Sequence, residues 1–499
     1  MAKTVAIRSV LQARARKPGF WLALLMAAIA VWWCASGQAQ VLRLHDSDTY
    51  DNVSRMPPRE MLSSVLTLGY PLLLKAVRLV SPDYTLLPWV HLGMHFFACL
   101  LLHSGLRKFG ASPWQVAAAS AAFLATAVSH PSAEYLLTDF PARAVAVWAI
   151  AFLLRIAAEP WRIADWIGLT VSVALCYHLR PAYLFMIPLV PLLGVALMRI
   201  RNGREGLPCR WKANGAALVG VTVLPFLAFC VLRLAVVGHF GLVSFGGLNI
   251  VGVAAEMLDE KLIETRIPAH LRPLAHEIVV RREERGMENA FTSRGVDILR
   301  WDENYNQSVW KVAYPAAVDR YGADHVTINR ELTDLSRAVI RARPVHYLRF
   351  LAANYREGVG RLLSRGAVLQ GCAALLLVLF VIRLGLVPAG ADTAPLSRRT
   401  ARDALVLTAV AFALTKLFLV SLVEMTITRY VLAAGMLLPS AVALLAYDQA
   451  AAIVAGLRSR FTLPDADERS RESSSLRHFT LRRFDPEPGV WAGACRKTP

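Results

Sequence analysis

Roughly ten stretches of this chain are apolar for long enough to cross a bilayer, a pattern that only a helical membrane bundle accommodates. In hydrocarbon, every backbone N–H and C=O must be satisfied within its own segment, so each stretch is read as a helix. They are Phe20–Ser36, Thr85–Leu106, Trp114–His130, Phe140–Ala158, Ala164–His178, Tyr183–Met198, Gly215–Val237, Ala367–Val387, Asp403–Val423 and Arg429–Tyr447. The fifth and sixth are short and share the turn His178–Tyr183, so a re-entrant pair is an alternative there. Met61–Val80 is also apolar, but Gly69, Pro71, Lys75 and Arg78 break it into an interfacial helix pair. The expected fold class is all-α: a polytopic membrane protein with about ten transmembrane helices and outer loops that bear interfacial helices.

Charge sets the orientation. The chain carries 55 Lys+Arg against 36 Asp+Glu, a net charge of +19. Such a balance first suggests nucleic acid. An apolar content of 56% argues against that, provided the positive charge is not gathered on one soluble domain. Lys3, Arg8, Arg14, Arg16 and Lys17 precede the first span with no acid among them, which makes that end cytoplasmic. Alternation then puts Arg107/Lys108, Arg155/Arg162, Arg199–Lys212, Arg398–Arg402 and the C-terminal tail, with Arg458, Arg460, Arg482 and Arg483, on the same side. Every basic short loop agrees, so an even span count is expected. The charge therefore records insertion into a bilayer, the expected location being a bacterial inner membrane with both termini cytoplasmic. No nucleic-acid partner is expected. The first run is read as a retained helix, because its end, CASGQAQ, only faintly resembles a signal-peptide cleavage site.

Four regions follow: a transmembrane module over 1–237 with its first outer loop at 40–84, an outer, mostly helical region over 238–365, transmembrane helices over 366–449, and a charged flexible tail over 450–499. The 238–365 region holds 18 Lys+Arg and 16 Asp+Glu and is nearly neutral. Within it, Ile328, Leu332, Leu335, Val339 and Ile340 recur at helical spacing. After Pro344 a second amphipathic run carries Tyr347, Leu348, Leu351, Tyr355, Val359, Leu362 and Leu363 and leads into the eighth span, the pattern of a helix lying on a membrane surface. Of the seven cysteines, Cys34, Cys99, Cys176, Cys230 and Cys372 fall in spans and Cys209 and Cys495 on the inner side, so no disulfide framework is expected.

Charges at the membrane boundary are functional suspects by default. Once the basic loops are assigned to the inside, the remaining outer-side charges have no part in orientation. The first outer loop contains His45-Asp46-Ser47-Asp48-Thr49-Tyr50-Asp51. The second gives Glu134 and Asp139, with Arg143 one turn into the fourth span. His178 and Arg180 lie in the third, Arg233 at the end of the seventh span, Glu424 and Arg429 around the last loop, and Lys416 inside the ninth span. Simpler roles compete. Asp139 and Arg143 have the i,i+4 spacing of a local ion pair. Arg180 and Arg429 suit snorkelling anchors. Lys416 and Glu424 lie on one helix face and suit a structural pair. His91 and His95 have i,i+4 spacing without an accompanying carboxylate motif, and no metal site is assigned. The Asp46-Ser47-Asp48 triplet leaves a divalent ion as an open cofactor question.

The order of these features resembles the GT-C superfamily of integral-membrane glycosyltransferases, such as the protein O-mannosyltransferases and the lipid A aminoarabinose transferase. The features are an acidic motif after the first span (Asp46-Ser47-Asp48-Thr49-Tyr50), Gly69-Tyr70-Pro71, the short loop Tyr135–Asp139, Arg180-Pro181 at a turn, and Arg429-Tyr430 near the last span. The resemblance covers the first 190 or so residues and the last two spans. It implies a sugar donor on polyprenyl phosphate, a glycan, lipid or protein acceptor, and the bilayer as partner. It also implies Asp46 or Asp48 as the base, with Arg180, Lys416 and Arg429 on the donor phosphate. Tyr50, Tyr70, Asp139, Arg143, Glu424 and Tyr430 are then expected to position substrate. A lipid-linked-sugar flippase and an O-antigen ligase or polymerase are the alternatives, the latter because 238–365 could serve as a large outer loop.

Overall fold

The computed structural model describes residues 17–129, 134–205, 211–292, 295–386 and 396–461. Most of the basic N-terminal run, Cys209, Cys495 and tail residues 462–499 lie outside the described residues. Among the described residues the fold is all-α apart from one short antiparallel hairpin. Helix α1 (Pro18–Ala35) leads to three short helices, α2 (His45–Arg55), α3 (Pro58–Ser63) and α4 (Gly69–Val80). Helices α5 (Leu87–Lys108), α6 (Pro113–Ser129), α7 (Asp139–Ala158), α8 (Ile163–Leu179), α9 (Met186–Glu205) and α10 (Trp211–Val237) then run back and forth in one bundle. Helix α7 is its axis, with 83% of its apolar window buried. Ala142, Ala144, Ala146, Ala149 and Ala151 let neighbouring helices approach closely. Small side chains serve this purpose in membranes, where apolar surface gains little by leaving lipid.

Helices α8 and α9 both pack on α7 and on α10. At the end away from α2–α4, Arg201 on α9 donates to Lys108 O at 3.2 Å, and Lys108 pairs with Glu159 at 2.7 Å. Gln115 reaches Asp448 there at 2.7 Å.

The next region holds α11 (Gly246–Ala254), α12 (Glu260–Arg266), α13 (Arg272–Glu284), the hairpin β1 (Phe291–Thr292) and β2 (Gly295–Val296), α14 (Ile298–Gln307), a π-helical turn (Ser308–Ala313), α15 (Tyr314–Tyr321), α16 (His325–Ala342) and α17 (Pro344–Arg365). It has its own core around Ile263, Ile278, Trp301, Leu332 and Leu335. Helix α16 starts where Asp324 accepts from Val326 N and Thr327 N, satisfying two donors that lack an intrahelical partner. It buries Ile328, Leu332, Leu335 and Val339, as the spacing predicts. Helix α17 differs from its predicted stripe. It buries Phe350, Asn354, Gly358 and Leu362, while Leu348 and Leu363 stay exposed. With Leu414 and Phe418 of the neighbouring long helix, Leu348, Leu351 and Tyr355 line an open apolar groove of about 560 Å³.

Helices α18 (Ala367–Leu386), α19 (Leu396–Val423), α20 (Thr428–Ala434) and α21 (Leu438–Phe461) complete the chain. Here the expected last span, Arg429–Tyr447, is corrected. Gly435 caps α20 and Pro439 opens α21, so Arg429 and Tyr430 sit on a separate seven-residue helix. The run breaks at Gly435–Leu437, and Pro439, whose missing N–H is tolerated in the first turn of a helix, stands at the start of the next one. Residues 450–461, expected in a flexible tail, continue α21.

Among the described residues, eight helices are long and apolar enough to cross a membrane, and α6 and α8 are shorter apolar helices. None of the α18 apolar window is buried, leaving Leu375, Leu377, Val378 and Val381 more than half exposed. Such a belt is untenable in water and ordinary in lipid. The chain has the build of an integral membrane protein.

Candidate functional site

Helix α2 carries the acidic motif and is fixed at both ends. At its start Leu44 N donates to Ser47 Oγ at 2.9 Å, and Ser47 Oγ donates to Leu136 O at 3.1 Å. Leu42 N donates to Glu134 O and Leu136 N to Leu42 O, so the first loop and the segment before α7 are joined through the backbone. Farther along, Asp51 is buried and accepts from Arg43 at 3.1 Å, Arg55 at 3.2 Å and the Tyr84 hydroxyl at 2.8 Å. Burial alone would push the Asp51 carboxyl up. The hydrogen bonds from Arg55, Tyr84 and Arg43 outweigh burial and hold it below the usual carboxylate range. Tyr84 has φ 64°, the one non-glycine residue with positive φ among those described.

The two candidate bases separate. Asp48 is 74% exposed and pairs with Arg43 at 2.9 Å. Asp46 pairs with Arg429 on α20, Nη1 to Oδ2 at 3.3 Å. Arg429 Nη2 donates to the Tyr430 hydroxyl at 3.3 Å, and that hydroxyl donates to Glu424 Oε1 at 2.5 Å. Arg180 lies against the same ring, its Cζ 4.7 Å from the centroid. Asp46, Arg429, Tyr430, Glu424 and Arg180 thus form one connected group.

The Glu424 loop is held by the 238–365 region. Asn354 Nδ2 donates to Glu424 O at 2.8 Å, Thr426 N to Asn354 Oδ1 at 3.0 Å, and the Tyr347 hydroxyl to Leu422 O at 2.7 Å. Burial raises the Glu424 carboxyl above its usual range, against the opposing pull of the Tyr430 hydrogen bond, Arg180 and Arg429.

Deeper in the bundle, Asp139 pairs with Arg180 at 2.7 Å, not with Arg143 one turn along its own helix. Arg180 also donates to the Thr138 hydroxyl at 2.8 Å. Burial works against the Arg180 guanidinium, but Asp139 beside it more than compensates and keeps it charged. Arg143 packs on Phe140 with Cζ 4.6 Å from the ring centroid, and Lys416 Nζ lies 3.8 Å from that of Tyr183. Lys416 and Glu424 do not pair: the Lys416 ammonium has no hydrogen-bond partner.

Tyr50 packs edge-on against Tyr70 at 5.1 Å, and Tyr70 stacks on His91 at 6.0 Å. His91 and His95 continue this aromatic stack through Phe140, and His95 stacks on Phe123 at 4.3 Å. Among the described residues no group of three His, Cys, Asp or Glu could hold a metal ion. Arg233 is removed from this group. It donates to Leu62 O at 2.8 Å, Gly241 O at 3.2 Å and Ser244 Oγ at 2.5 Å, tying the end of α10 to α3.

Thr138, Tyr183 and Asp51 were not singled out in the sequence. Thr138 and Asp51 stand inside the quoted motifs, but nothing marks Tyr183 apart from its place after Arg180-Pro181. Chemically, the group offers an accessible carboxylate (Asp46) with a guanidinium beside it, and buried cations beneath. No family model, curated protein or solved structure matches the chain.

Proposed function

We propose that the chain is a glycosyltransferase of the GT-C kind, moving a sugar from a polyprenyl-phosphate donor to a hydroxyl acceptor at the outer face of a bacterial inner membrane. In this reading all ten bundle helices cross the membrane and both termini are cytoplasmic. The alternating course of α1, α5–α10, α18, α19 and α21 supports that arrangement. The site then lies at the outer boundary, where a lipid phosphate meets water.

One observation carries the reading: Asp46 joins Arg429 at 3.3 Å, and Arg429 and the buried Arg180 pack against the same Tyr430 ring. Sugar transfer needs both parts. A hydroxyl is a weak nucleophile, and a carboxylate within hydrogen-bond reach takes its proton as the new bond to the anomeric carbon forms, an effect worth about 10²–10⁴ in rate. The departing phosphate gains charge, which fixed cations in a water-poor site stabilise. In this reading Asp46 is the base and Arg429 orients it. Lys416 and Arg180 act on the phosphate, and Tyr50, Tyr70 and Tyr430 shape the sugar site. The outer region contributes by holding the Glu424 loop.

The test uses full-length protein in detergent, a panel of polyprenyl-phosphate sugars, and sugar release as readout. Release by wild type and its loss in Asp46→Asn are expected. Wild type that releases no sugar yet moves a lipid-linked sugar across vesicles would sink the reading in favour of a flippase.

A further inference from the structure

The 238–365 region leaves the bundle through a clasped loop. Gly238, with φ 72°, turns the chain at the end of α10. Arg233, one turn inside that end, donates to Gly241 O at 3.2 Å and to Ser244 Oγ at 2.5 Å, and its Nη1 lies 2.8 Å from His239 Nδ1. These contacts fold the loop back against the helix, so Phe240 and Phe245 stay close to its last turn. Trp310, on the π-helical turn Ser308–Ala313, packs on Phe245 with ring centroids 6.0 Å apart. Phe240 is 54% exposed and Trp310 42%, and Lys311 beside it is exposed. On α10 itself Leu224, Val231, Leu232 and Leu234 are exposed, and only 22% of the apolar window is buried. Such a bare helix face belongs in lipid. The aromatic rings carry it past the last turn, to the level where hydrocarbon gives way to headgroups. Tryptophan collects at that level because its body is apolar and its N–H is polar. A neighbouring lysine keeps its ammonium in water there.

We infer that Phe240, Phe245 and Trp310 form a membrane anchor, which lies in the interfacial zone of the adjoining leaflet and holds the 238–365 region down on the bilayer beside α10. The partner of this patch is lipid, because the patch is continuous with the lipid-facing side of a long apolar helix. The inference needs the chain to sit in a membrane and does not depend on sugar transfer. The anchor is also linked to the candidate site. Tyr305, on the helix that runs into the π-helical turn, donates through its hydroxyl to Asn249 O at 2.9 Å and to Val423 O at 3.3 Å, next to Glu424. Holding Trp310 and Phe245 at the headgroups therefore fixes the height of the Glu424 loop relative to the bilayer surface.

The test is tryptophan quenching in full-length protein reconstituted into phosphatidylcholine vesicles. The Trp310 signal is the difference between wild type and Trp310→Phe, a change at an exposed ring that keeps an aromatic side chain against Phe245. The quenchers are lipids brominated near the carbonyls, lipids brominated near the chain ends, and iodide on both sides of the membrane. Bromine near the carbonyls should remove most of the Trp310 signal, bromine at the chain ends much less, and iodide little. A second reporter, Phe240→Trp in the Trp310→Phe background, should follow the same order. Strong iodide quenching with no effect of either brominated lipid, at either position, would overturn the inference and leave the patch to a water-borne partner such as a glycan or a protein. Chain-end bromine quenching as strongly as carbonyl bromine would place the rings in hydrocarbon and overturn the interfacial anchor. Neither result bears on sugar release, so the inference and the transferase reading fail separately.

Discussion

Arg429 meets Asp46 across 383 positions of sequence, Nη1 to Oδ2 at 3.3 Å, and so joins the first loop of the chain to its last. Asp48, two residues from Asp46, faces Arg43 instead. The two aspartates should therefore respond differently to the same change. Asp46→Asn is expected to lower sugar transfer by about 10²–10⁴, and Asp48→Asn to leave it within a few-fold, since exposed pairs contribute little. Initial rates of sugar release at saturating donor decide this. Equal losses in both variants would show that Asp46 has no special role.

Asp51 predicts a pH dependence. Its carboxyl sits below the usual range in the folded protein because the bonds from Arg55, Tyr84 and Arg43 outweigh burial. A depressed folded value means that the unfolded chain binds the proton more readily. The contribution is complete above the unfolded value of about 3.9 and disappears as pH falls through the lower folded value. Asp51→Asn should cost about 1.5–3 kcal/mol at neutral pH, and its melting temperature should converge on that of wild type in strong acid. A constant gap between the two curves from neutral to acid pH would refute the clamp.

Glu424 predicts the opposite sign. Burial raises its carboxyl in the folded state, so the folded protein binds the proton more readily than the unfolded chain. Stability from this group is full below the unfolded value of about 4.3 and declines as pH rises through the raised folded value. Glu424→Gln keeps an acceptor for Tyr430 and removes the charge. It should match wild type near pH 4 and melt higher at pH 7–8. A variant that melts lower at neutral pH would show that the ionised form stabilises the fold.

Gly69 predicts a packing limit. A Cβ there would lie 2.6 Å from the His178 carbonyl carbon and 2.8 Å from Leu179 N, both backbone atoms that cannot step aside. Helix α4 thus rests directly on the end of α8, next to Arg180. Gly69→Ala should destabilise the protein by about 1–3 kcal/mol and weaken transfer by shifting Tyr70. Thermal melts of the purified variant test the first effect. An unchanged melting temperature would mean that α4 moves freely on α8.

Much of the fold is legible along the chain because the signals are local. Apolar runs mark the bundle helices, since a backbone in lipid must satisfy itself within each segment. The stripe Ile328–Val339 marks α16 because every third or fourth side chain faces one side. The break at Gly435–Leu437 is also local but is hidden by the apolar residues around it. Hydropathy alone merges α20 with α21, because Met436, Leu437 and Leu438 between them are apolar.

The site divides in the same way. Residue type and position along the spans were enough to nominate Asp46, Asp139, Arg143, Arg180, Lys416, Arg429 and Glu424, because a charge near lipid is costly and needs a reason. Tertiary structure alone decided which of them are partnered. Asp139 turns to Arg180 on the next helix and leaves Arg143, its own i,i+4 neighbour, open. Lys416 and Glu424 share a helix face by spacing, yet Glu424 goes to Tyr430 and Lys416 to the Tyr183 ring. Electrostatic pairing depends on distance in space. That distance is set by how α7, α8, α19 and α20 pack, which no single segment encodes.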